Sequence, residues 1–392
     1  MTTTPPSPHA ADLLAGPRGR RLLLELLLAA EETPKEAPEE TLREHTGSAG
    51  ITLWSAVSDA SFHLSPASGT FGMFWSDTPP DEYPDATRPA LQPTRDELFP
   101  AVPPDVVARL ITEAPLPEIT GERLRRAFAG SVDAAMYWQE PDGTDALCAT
   151  GPVRRALATA AEHIAASPLT DWWWSGTDRD DQWSAQWRGP VNDPADVPVP
   201  APDALRQRLL DWKVTEIEET RRAAQERPDD PTANWSGNWW STPPGWIRVP
   251  ETTRTWPTTG QPVSTWGTED APGDEPVAVH RIPVADDPRI LEITGADDWA
   301  ALCREFPLEV TASRRHDWYR VTGRDPRTAG PWLIPDWSTV AERWDAVHLT
   351  VAGYLNAATR RIPVPGGGEA TDGQDAASLI AGWGPDATYW LR

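Results

Sequence analysis

Proline is the residue type that most limits how this chain can fold. The sequence has 43 prolines among 392 residues. Each proline removes a backbone donor and is disfavoured inside helices and central strands. The sequence therefore predicts short helices and strands joined by many loops. A chain of this length can still bury a large core without disulfides or a structural metal, and its length is typical of two or three domains.

The charge of the chain is strongly negative, with 59 acidic and 35 basic side chains and a net charge of −24. Such a field repels phosphate, which argues against nucleic acid and anionic membranes as partners. The two cysteines, Cys148 and Cys303, are too few for a disulfide framework or a cysteine-rich metal site. They are typical of isolated thiols in a reducing compartment. Oligomeric state stays open at this stage.

The N-terminal segment has one feature of an export signal, because Arg20 and Arg21 precede the apolar run 22–30. However, Glu25 interrupts this run, and acidic residues follow it where a cleavage site would need small side chains. Nine residues are also too few to span a bilayer. We therefore expect a buried helix that follows a Gly-Pro break, in a cytoplasmic protein.

Hydrophobic periodicity predicts an α+β fold, because helical and strand-like segments are segregated along the chain. The expected organisation is a helix-rich N-terminal region with aromatic hairpins (1–190), a Pro-rich linker (191–202), a long helix with a Trp-rich loop (203–247) and a C-terminal α+β domain (248–392). The predicted helices are Pro104–Ala114, Gly121–Ala135, Pro152–Ala166, Asp203–Arg227, Ala296–Phe306 and Trp337–Trp344. The predicted strands are Gly50–Val57, Gly69–Trp75, Pro262–Trp266, Val277–Pro283, Arg289–Ile293, Ala346–Thr350 and Thr388–Leu391, with an aromatic hairpin over 170–187.

Tryptophan is unusually frequent, with 22 residues against six phenylalanines and five tyrosines. Several of them cluster in 172–187 and 235–256. An indole ring can form a rigid wall against which a planar ligand, a sugar or a cation stacks. It can equally anchor loops in a chain that is poor in other aromatic residues. The sequence favours the anchoring role for most of these tryptophans and leaves the other open.

The segment 313–327 is the main local departure from the acidic character of the chain. It contains five arginines and two aspartates around Trp318 and Tyr319. Guanidinium groups bind oxyanions through paired hydrogen bonds and stack on rings. We therefore expect Arg314, Arg315 and Arg320 to hold an anion while Trp318 and Tyr319 stack a ring. The alternative is a solvated loop whose arginines neutralise the acidic surface.

Three titratable residues of the C-terminal third are the predicted acid–base groups: His316, His348 and Glu269. Histidine titrates near neutral pH, which suits proton transfer. The sequence has no metal-ligand motif of the His-Glu-x-x-His or paired-cysteine type, so no metal is expected. The acidic run 178–181 is expected to be a solvated turn. Glycine-rich nucleotide motifs and the serine-hydrolase elbow are also absent from the sequence.

Several stretches resemble a family of actinobacterial Trp-rich proteins for which no activity is known. They are LLAGPRGRRL (13–22), NWSGNWWSTPPG (234–245), ITGADDWAALCREFPLEVTASRRHDWYRVTG (293–323), WLIPDWSTVAERWDAVHLTVAGYL (332–355) and GWGPDATYWL (382–391). This resemblance spans most of the chain and implies no reaction.

A second resemblance is to ADP-ribosyltransferases, which combine an arginine, a Ser-Thr-Ser-like strand and a later catalytic glutamate. The same order is found here, with Arg248 or Arg254 first, then the segment Val263–Trp266, and then Glu292. The spacings are compressed, and Trp266 stands where the third residue of the pattern should be serine.

These patterns leave three hypotheses about function. The first is an intracellular enzyme that binds an anionic planar ligand, such as a nucleotide or NAD, in a Trp/Arg-lined cleft of the C-terminal domain. The second is a non-catalytic interaction or scaffold protein that uses Trp-rich hairpins, since Trp and Arg are frequent at binding hot spots. The third is a carbohydrate-binding module.

Overall fold

The computed structural model describes residues 5–31, 52–65, 101–187, 200–269, 276–367 and 375–392. The predicted strand Gly69–Trp75 and most of the predicted linker 191–202 lie outside the described residues.

Helices make up most of the first part of the described chain. They are α1 (Pro8–Ala15), α2 (Pro17–Glu31), α3 (Leu53–Leu64), α4 (Pro104–Glu113), α5 (Gly121–Asp133), α6 (Gly143–Ala149), α7 (Gly151–Ala156) and α8 (Ala158–Ala165). Side-chain caps fix several starts; the hydroxyl of Thr120, for example, accepts from the backbone N–H of Arg123 and begins α5. The leucines of α2 are buried, with Leu22, Leu23 and Leu24 at 0 % exposure. The prediction of a buried N-terminal helix after a Gly-Pro break is confirmed.

The second part of the chain mixes strands with helices. Its elements are β1 (Trp183–Trp187), α9 (Pro202–Glu226), β2 (Glu251–Thr252), β3 (Val277–Arg281), β4 (Ile290–Ile293), α10 (Ala296–Glu305), β5 (Pro307–Glu309), α11 (Thr311–Thr322), α12 (Pro326–Ala329), β6 (Leu333–Pro335), α13 (Trp337–Arg343), β7 (Ala346–Leu349), α14 (Val351–Ala357), β8 (Ile362–Val364), β9 (Ala376–Ser378) and β10 (Thr388–Trp390). Helices and small mixed sheets together confirm the α+β fold class.

The largest sheet in the described part of the chain has four strands in the order β2–β10–β7–β4. Strand β10 runs antiparallel to both of its neighbours, whereas β4 and β7 are parallel. The long connection between β4 and β7 contains four helices and the β5–β6 pair. The pairs β1–β3, β5–β6 and β8–β9 form separate two-stranded sheets. One buried apolar cluster includes residues from Ala10 to Leu391. The division into domains at 191–202 and 248 stays a prediction.

The long helix α9 was predicted over nearly its full length. Its buried face includes Leu205, Leu209 and Trp212. This face continues into the charged second half of the helix, where Glu216 and Ala223 are also buried. The reason is that α11 packs against that half of the helix, so Glu216 and Glu219 pair with arginines, whereas Glu218 and Glu226 are exposed.

Three sequence predictions of local structure are wrong. The described part of the predicted strand Gly50–Val57 belongs to helix α3, whose buried residues recur at helical spacing beyond Val57. The predicted hairpin over 170–187 is a 3-10 turn at 171–174 followed by β1, and β1 pairs with the distant β3. The predicted strand Pro262–Trp266 is a 3-10 turn over 263–265, closed by the Thr265 hydroxyl donating to the carbonyl of Pro262 at 2.7 Å.

Candidate functional site

Residues 313–322 of the Arg-rich segment lie in a buried helix, α11, and not in the solvated loop considered as an alternative. Arg314 and Arg315 are 2 % and 6 % exposed, and Trp318 is fully buried. The guanidinium of Arg315 donates to the carbonyls of Ala223 (3.1 Å) and Arg227 (3.2 Å) at the end of α9. The helix therefore uses its cations inside the protein.

Arg314 is the residue at the centre of these contacts. Its two terminal nitrogens donate to both carboxylate oxygens of Glu216, one of them at 3.1 Å, and one of them also donates to the Ser313 hydroxyl at 2.9 Å. The remaining donors reach the carbonyl of Trp240, at 3.3 Å from Nε and 3.0 Å from Nη2. These five hydrogen bonds use the five N–H donors of a guanidinium.

Helix α11 holds the Trp-rich loop 233–241 through the backbone of that loop. The indole N–H of Trp318 donates to the carbonyl of Trp239 at 2.8 Å. Arg320 donates to the carbonyl of Ala233 at 3.3 Å, and Asp317 accepts from the N–H of Gly237 at 3.2 Å. Buried carbonyls need such donors, so the residues predicted to clamp a ligand instead position a loop.

The loop carries an aromatic stack that leads out to solvent. The ring of Tyr137 stacks on Trp239 with centroids 5.4 Å apart, and Trp239 stacks on Trp240 at 4.1 Å. Tyr137 is fully buried, whereas Trp240 is 42 % exposed. Trp240 is therefore the outer ring of a rigid stack.

Trp240 lines a cleft of about 740 Å³ between α9, the Trp-rich loop and the edge of the four-stranded sheet. This volume lies in the range of small-molecule sites in proteins. Trp212 and Trp246 are the other tryptophans of the cleft, and Trp246 is 54 % exposed. Its acidic residues are Glu216, Glu219 and Glu251, and Arg314 also lines it.

The acidic groups of the cleft differ in their partners. Glu216 is paired with Arg314, and Glu219 is paired with Arg227. Glu251, the first residue of β2, is partly buried and its carboxyl contacts the hydroxyl of Tyr389. Burial raises the pKa of Glu251, and it also raises the pKa of Tyr389 well above its usual value.

Gly382 lies at the edge of the aromatic stack, where two constraints require glycine. Its φ is +77°, and an added Cβ would lie 2.6 Å from Cδ1 of Trp240. We expect Gly382→Ala to lower the free energy of unfolding by about 2–4 kcal/mol through backbone strain and overpacking. Urea denaturation measures the change.

Gly245 is the matched control, since it lines the same cleft, has no positive φ and has no atom within 4 Å of an added Cβ. Gly245→Ala should change stability by less than about 0.5 kcal/mol. Equal losses for the two variants would contradict the packing described for the stack.

The predicted acid–base histidines lie apart from the cleft. His316 is 1 % exposed on α11, and burial together with Arg315 and Arg320 lowers its pKa. His348 on β7 is also 1 % exposed, with Nδ1 2.5 Å from Glu292 and Nε2 3.4 Å from Asp386. Although burial opposes protonation, these two carboxylates raise the pKa of His348 to about 9. Both histidines are therefore buried inside the protein. Tyr319, the predicted stacking residue, is partly buried and does not line the cleft.

Two residues of the ADP-ribosyltransferase resemblance, Arg254 and Glu292, are linked through Asp386 and His348. Arg254 pairs with Asp386 at 2.7 Å, and Asp386 contacts His348, which in turn contacts Glu292. Glu292 also accepts from the N–H and hydroxyl of Thr177, both at 3.0 Å. This chain of charges joins the four-stranded sheet to the turn before β1.

Glu269 lies in a separate cluster next to the buried face of the aromatic stack. One of its carboxylate oxygens accepts from the hydroxyls of Tyr137 and Tyr354, the latter at 3.1 Å. Burial raises the pKa of Glu269 to about 8, although both hydroxyls favour the ionised form. Burial therefore favours the protonated form of Glu269, which lies behind the wall of the cleft.

Comparison of the chain with protein-family models, with curated proteins and with solved structures found no match. Within the described residues, no group of His, Cys, Asp and Glu side chains is arranged to hold a metal ion. None of the described helices is long and apolar enough to cross a membrane.

Sequence reasoning identified Arg314 and the Trp-rich loop but did not connect them. It missed Glu251 and Tyr389, which lie in short strands without a motif. It also missed Glu216, which lies in the charged second half of α9. One signal was present: Glu216 follows the apolar residues Trp212, Leu209 and Leu205 at spacings of four, seven and eleven, which places it on the same face of the helix.

Proposed function

We propose that this protein binds a small ring-shaped molecule in the cleft beside the Trp-rich loop. The observation that carries the proposal is the exposed outer ring of the Tyr137–Trp239–Trp240 stack within a cleft of about 740 Å³. A ligand ring placed on Trp240 would extend the stack by one member. Offset stacking of aromatic rings contributes about 0.5–1.5 kcal/mol beyond the area that it buries.

The rigidity of the wall supports this function. Four side chains of α11 and α13 donate to carbonyls of the loop. One of them is Trp337, whose indole N–H donates to the carbonyl of Ser241 at 3.1 Å. A surface that is already ordered loses little conformational entropy when a ligand binds. Many tryptophans elsewhere in the described chain are fully buried anchors, such as Trp173, Trp299 and Trp383. The partial exposure of Trp240 therefore distinguishes it from those.

The charges of the cleft favour a neutral or cationic ring over the anionic planar ligand expected from the sequence. Arg314 is the basic residue of the cleft lining, and its donors are used by Glu216, Ser313 and Trp240. A phosphate would have to displace the Glu216 carboxylate to reach it, which leaves a buried charge without a partner. The proposal concerns binding and assigns no reaction.

A thermal-shift screen tests this proposal. The panel contains aromatic amines, neutral aromatic alcohols, nucleotides, NAD and monosaccharides. A ligand at 100 times its dissociation constant stabilises the native state by about 2.7 kcal/mol, which raises the melting temperature measurably. We expect stabilisation by ring compounds, and Trp240→Ala should weaken their binding at least tenfold, or about 1.4 kcal/mol.

Trp235 provides a matched control for that substitution. It lies on the same loop and is 41 % exposed, but it is not part of the cleft lining. Trp235→Ala should leave the affinity within twofold of wild type. The proposal is wrong if no ring compound stabilises the protein, or if the two tryptophan variants weaken binding equally.

A protein-interaction surface is the second candidate function. It is favoured by the exposure of Trp235, Trp240 and Trp246, between 41 % and 54 %, on one short segment, because exposed tryptophans are frequent at binding hot spots. Affinity capture with the wild type and with Trp246→Ala distinguishes it. A partner lost with this variant, together with no response in the ligand screen, would favour the interaction surface.

A further inference from the structure

The three glutamates of the cleft do not contribute equally to its charge. Glu216 and Glu219 are each compensated by an arginine, Arg314 and Arg227 respectively. Arg222 adds a second cation beside Glu219. Of the three, only Glu251 has no compensating cation among the residues that the structure describes. Its carboxyl contacts the neutral hydroxyl of Tyr389.

The buried surroundings of Glu251 make it unfavourable for its carboxylate to be ionised without a nearby cation. Tyr389 is 7 % exposed, and Thr242, which hydrogen-bonds Tyr389, is 5 % exposed. A partly buried carboxylate loses hydration, and an opposite charge is the usual way to recover the free energy lost. The raised pKa of Glu251 is consistent with such a deficit. The cleft thus combines one uncompensated acid with the exposed indole of Trp240.

We infer that the cleft selects a ring-shaped ligand that carries a protonated or quaternary amine, with the Glu251 carboxylate as its counter-ion. This inference rests on the proposed function, because it assigns the charge of the ligand that stacks on Trp240. Indole faces attract cations through their quadrupole, which adds to the attraction by the carboxylate. The net charge of −24 also concentrates cations around the protein.

Three indole derivatives with the same ring test the inference at pH 8 by isothermal titration calorimetry. Tryptamine carries an ammonium group, tryptophol carries a hydroxyl in its place, and indole-3-acetate carries a carboxylate. We expect tryptamine to bind at least tenfold more tightly than tryptophol, and indole-3-acetate to bind most weakly. In Glu251→Gln, which keeps an oxygen acceptor for Tyr389, the ratio of tryptamine to tryptophol affinity should fall to within about twofold of one.

Glu218→Gln is the control for the general acidic field, because Glu218 is exposed on α9 outside the cleft lining. This variant should keep the tenfold preference for tryptamine. The inference is overturned if wild type binds tryptophol as tightly as tryptamine, if Glu251→Gln keeps the preference, or if none of the three compounds binds. If tryptamine and tryptophol bind equally and Trp240→Ala weakens the binding of tryptophol, the proposed ring-binding function is supported without a preference for charge. If Trp240→Ala has no effect on binding, the proposed function is also wrong.

Discussion

Replacing Arg314 by methionine is expected to lower the free energy of unfolding by about 3–5 kcal/mol. The substitution keeps much of the side-chain volume but leaves the 6 % exposed Glu216 without its partner. Removing one member of a buried ion pair costs this much because the remaining charge stays desolvated. It also removes both donors to the carbonyl of Trp240, so ligand affinity should fall together with stability. Urea denaturation and calorimetric titration measure the two effects.

The double variant Arg314→Met/Glu216→Met separates charge pairing from loop anchoring. Because a buried ion pair can often be replaced by apolar residues without loss, the double variant should recover most of the stability. It should not recover ligand binding, since the carbonyl of Trp240 still lacks its donors. A loss below about 1 kcal/mol in the single variant would contradict the burial and pairing described for Arg314.

Glu269→Gln is expected to change how stability depends on pH. The carboxyl has an ordinary pKa of 4.5, and burial raises the pKa of Glu269 to about 8 in the native state. Between these values the native protein holds a proton on Glu269 that the unfolded chain has released, so the contribution of Glu269 to stability falls as pH rises from 4.5 to 8. A shift of this size corresponds to as much as about 5 kcal/mol at 1.36 kcal/mol per unit.

Glutamine cannot ionise but keeps an oxygen that accepts from Tyr137 and Tyr354. The free energy of unfolding of the variant should therefore rise steadily relative to that of wild type between pH 4.5 and pH 8. Chemical denaturation at pH 5, 6.5 and 8 measures this difference, with the exposed Glu140→Gln as the control that leaves the profile unchanged. Parallel profiles for wild type and Glu269→Gln would show that Glu269 ionises normally in the native protein.

Periodic segments of the fold could be predicted from the sequence, whereas short aromatic segments could not. Helix α9 and strands β4, β7 and β10 lie close to their predicted positions, because apolar residues recur with a helical period in the first half of α9 and occupy most of each short strand. Helix α3 could not be predicted from the short segment Gly50–Val57, because this segment ends before the helical period is complete. The buried Ala60 and Ser61, which complete that period, follow it. The Pro262–Trp266 segment was too short for any periodicity to decide.

The candidate site was predictable in its residue types but not in their roles. Five arginines in 313–327 indicated a functional segment, but nothing in the sequence indicates that Arg314 faces Glu216, which is 98 residues away. That pairing converts an apparent anion clamp into a support for the Trp-rich loop. No sequence pattern identifies Glu251 as a site residue. Its importance comes from the absence of a cation beside it, and this absence is seen only once β2 is packed against β10 and the loop.

A crystal structure of the protein with the tightest-binding ring compound from the screen tests the central claim most directly. We expect the ligand ring to lie in the cleft against the exposed face of Trp240, at a contact distance of about 3.5–4 Å, with the loop 233–241 unchanged. A ligand bound away from Trp240, or a Trp240 side chain that folds over and fills the cleft, would contradict the proposal that this tryptophan is the wall of a binding site.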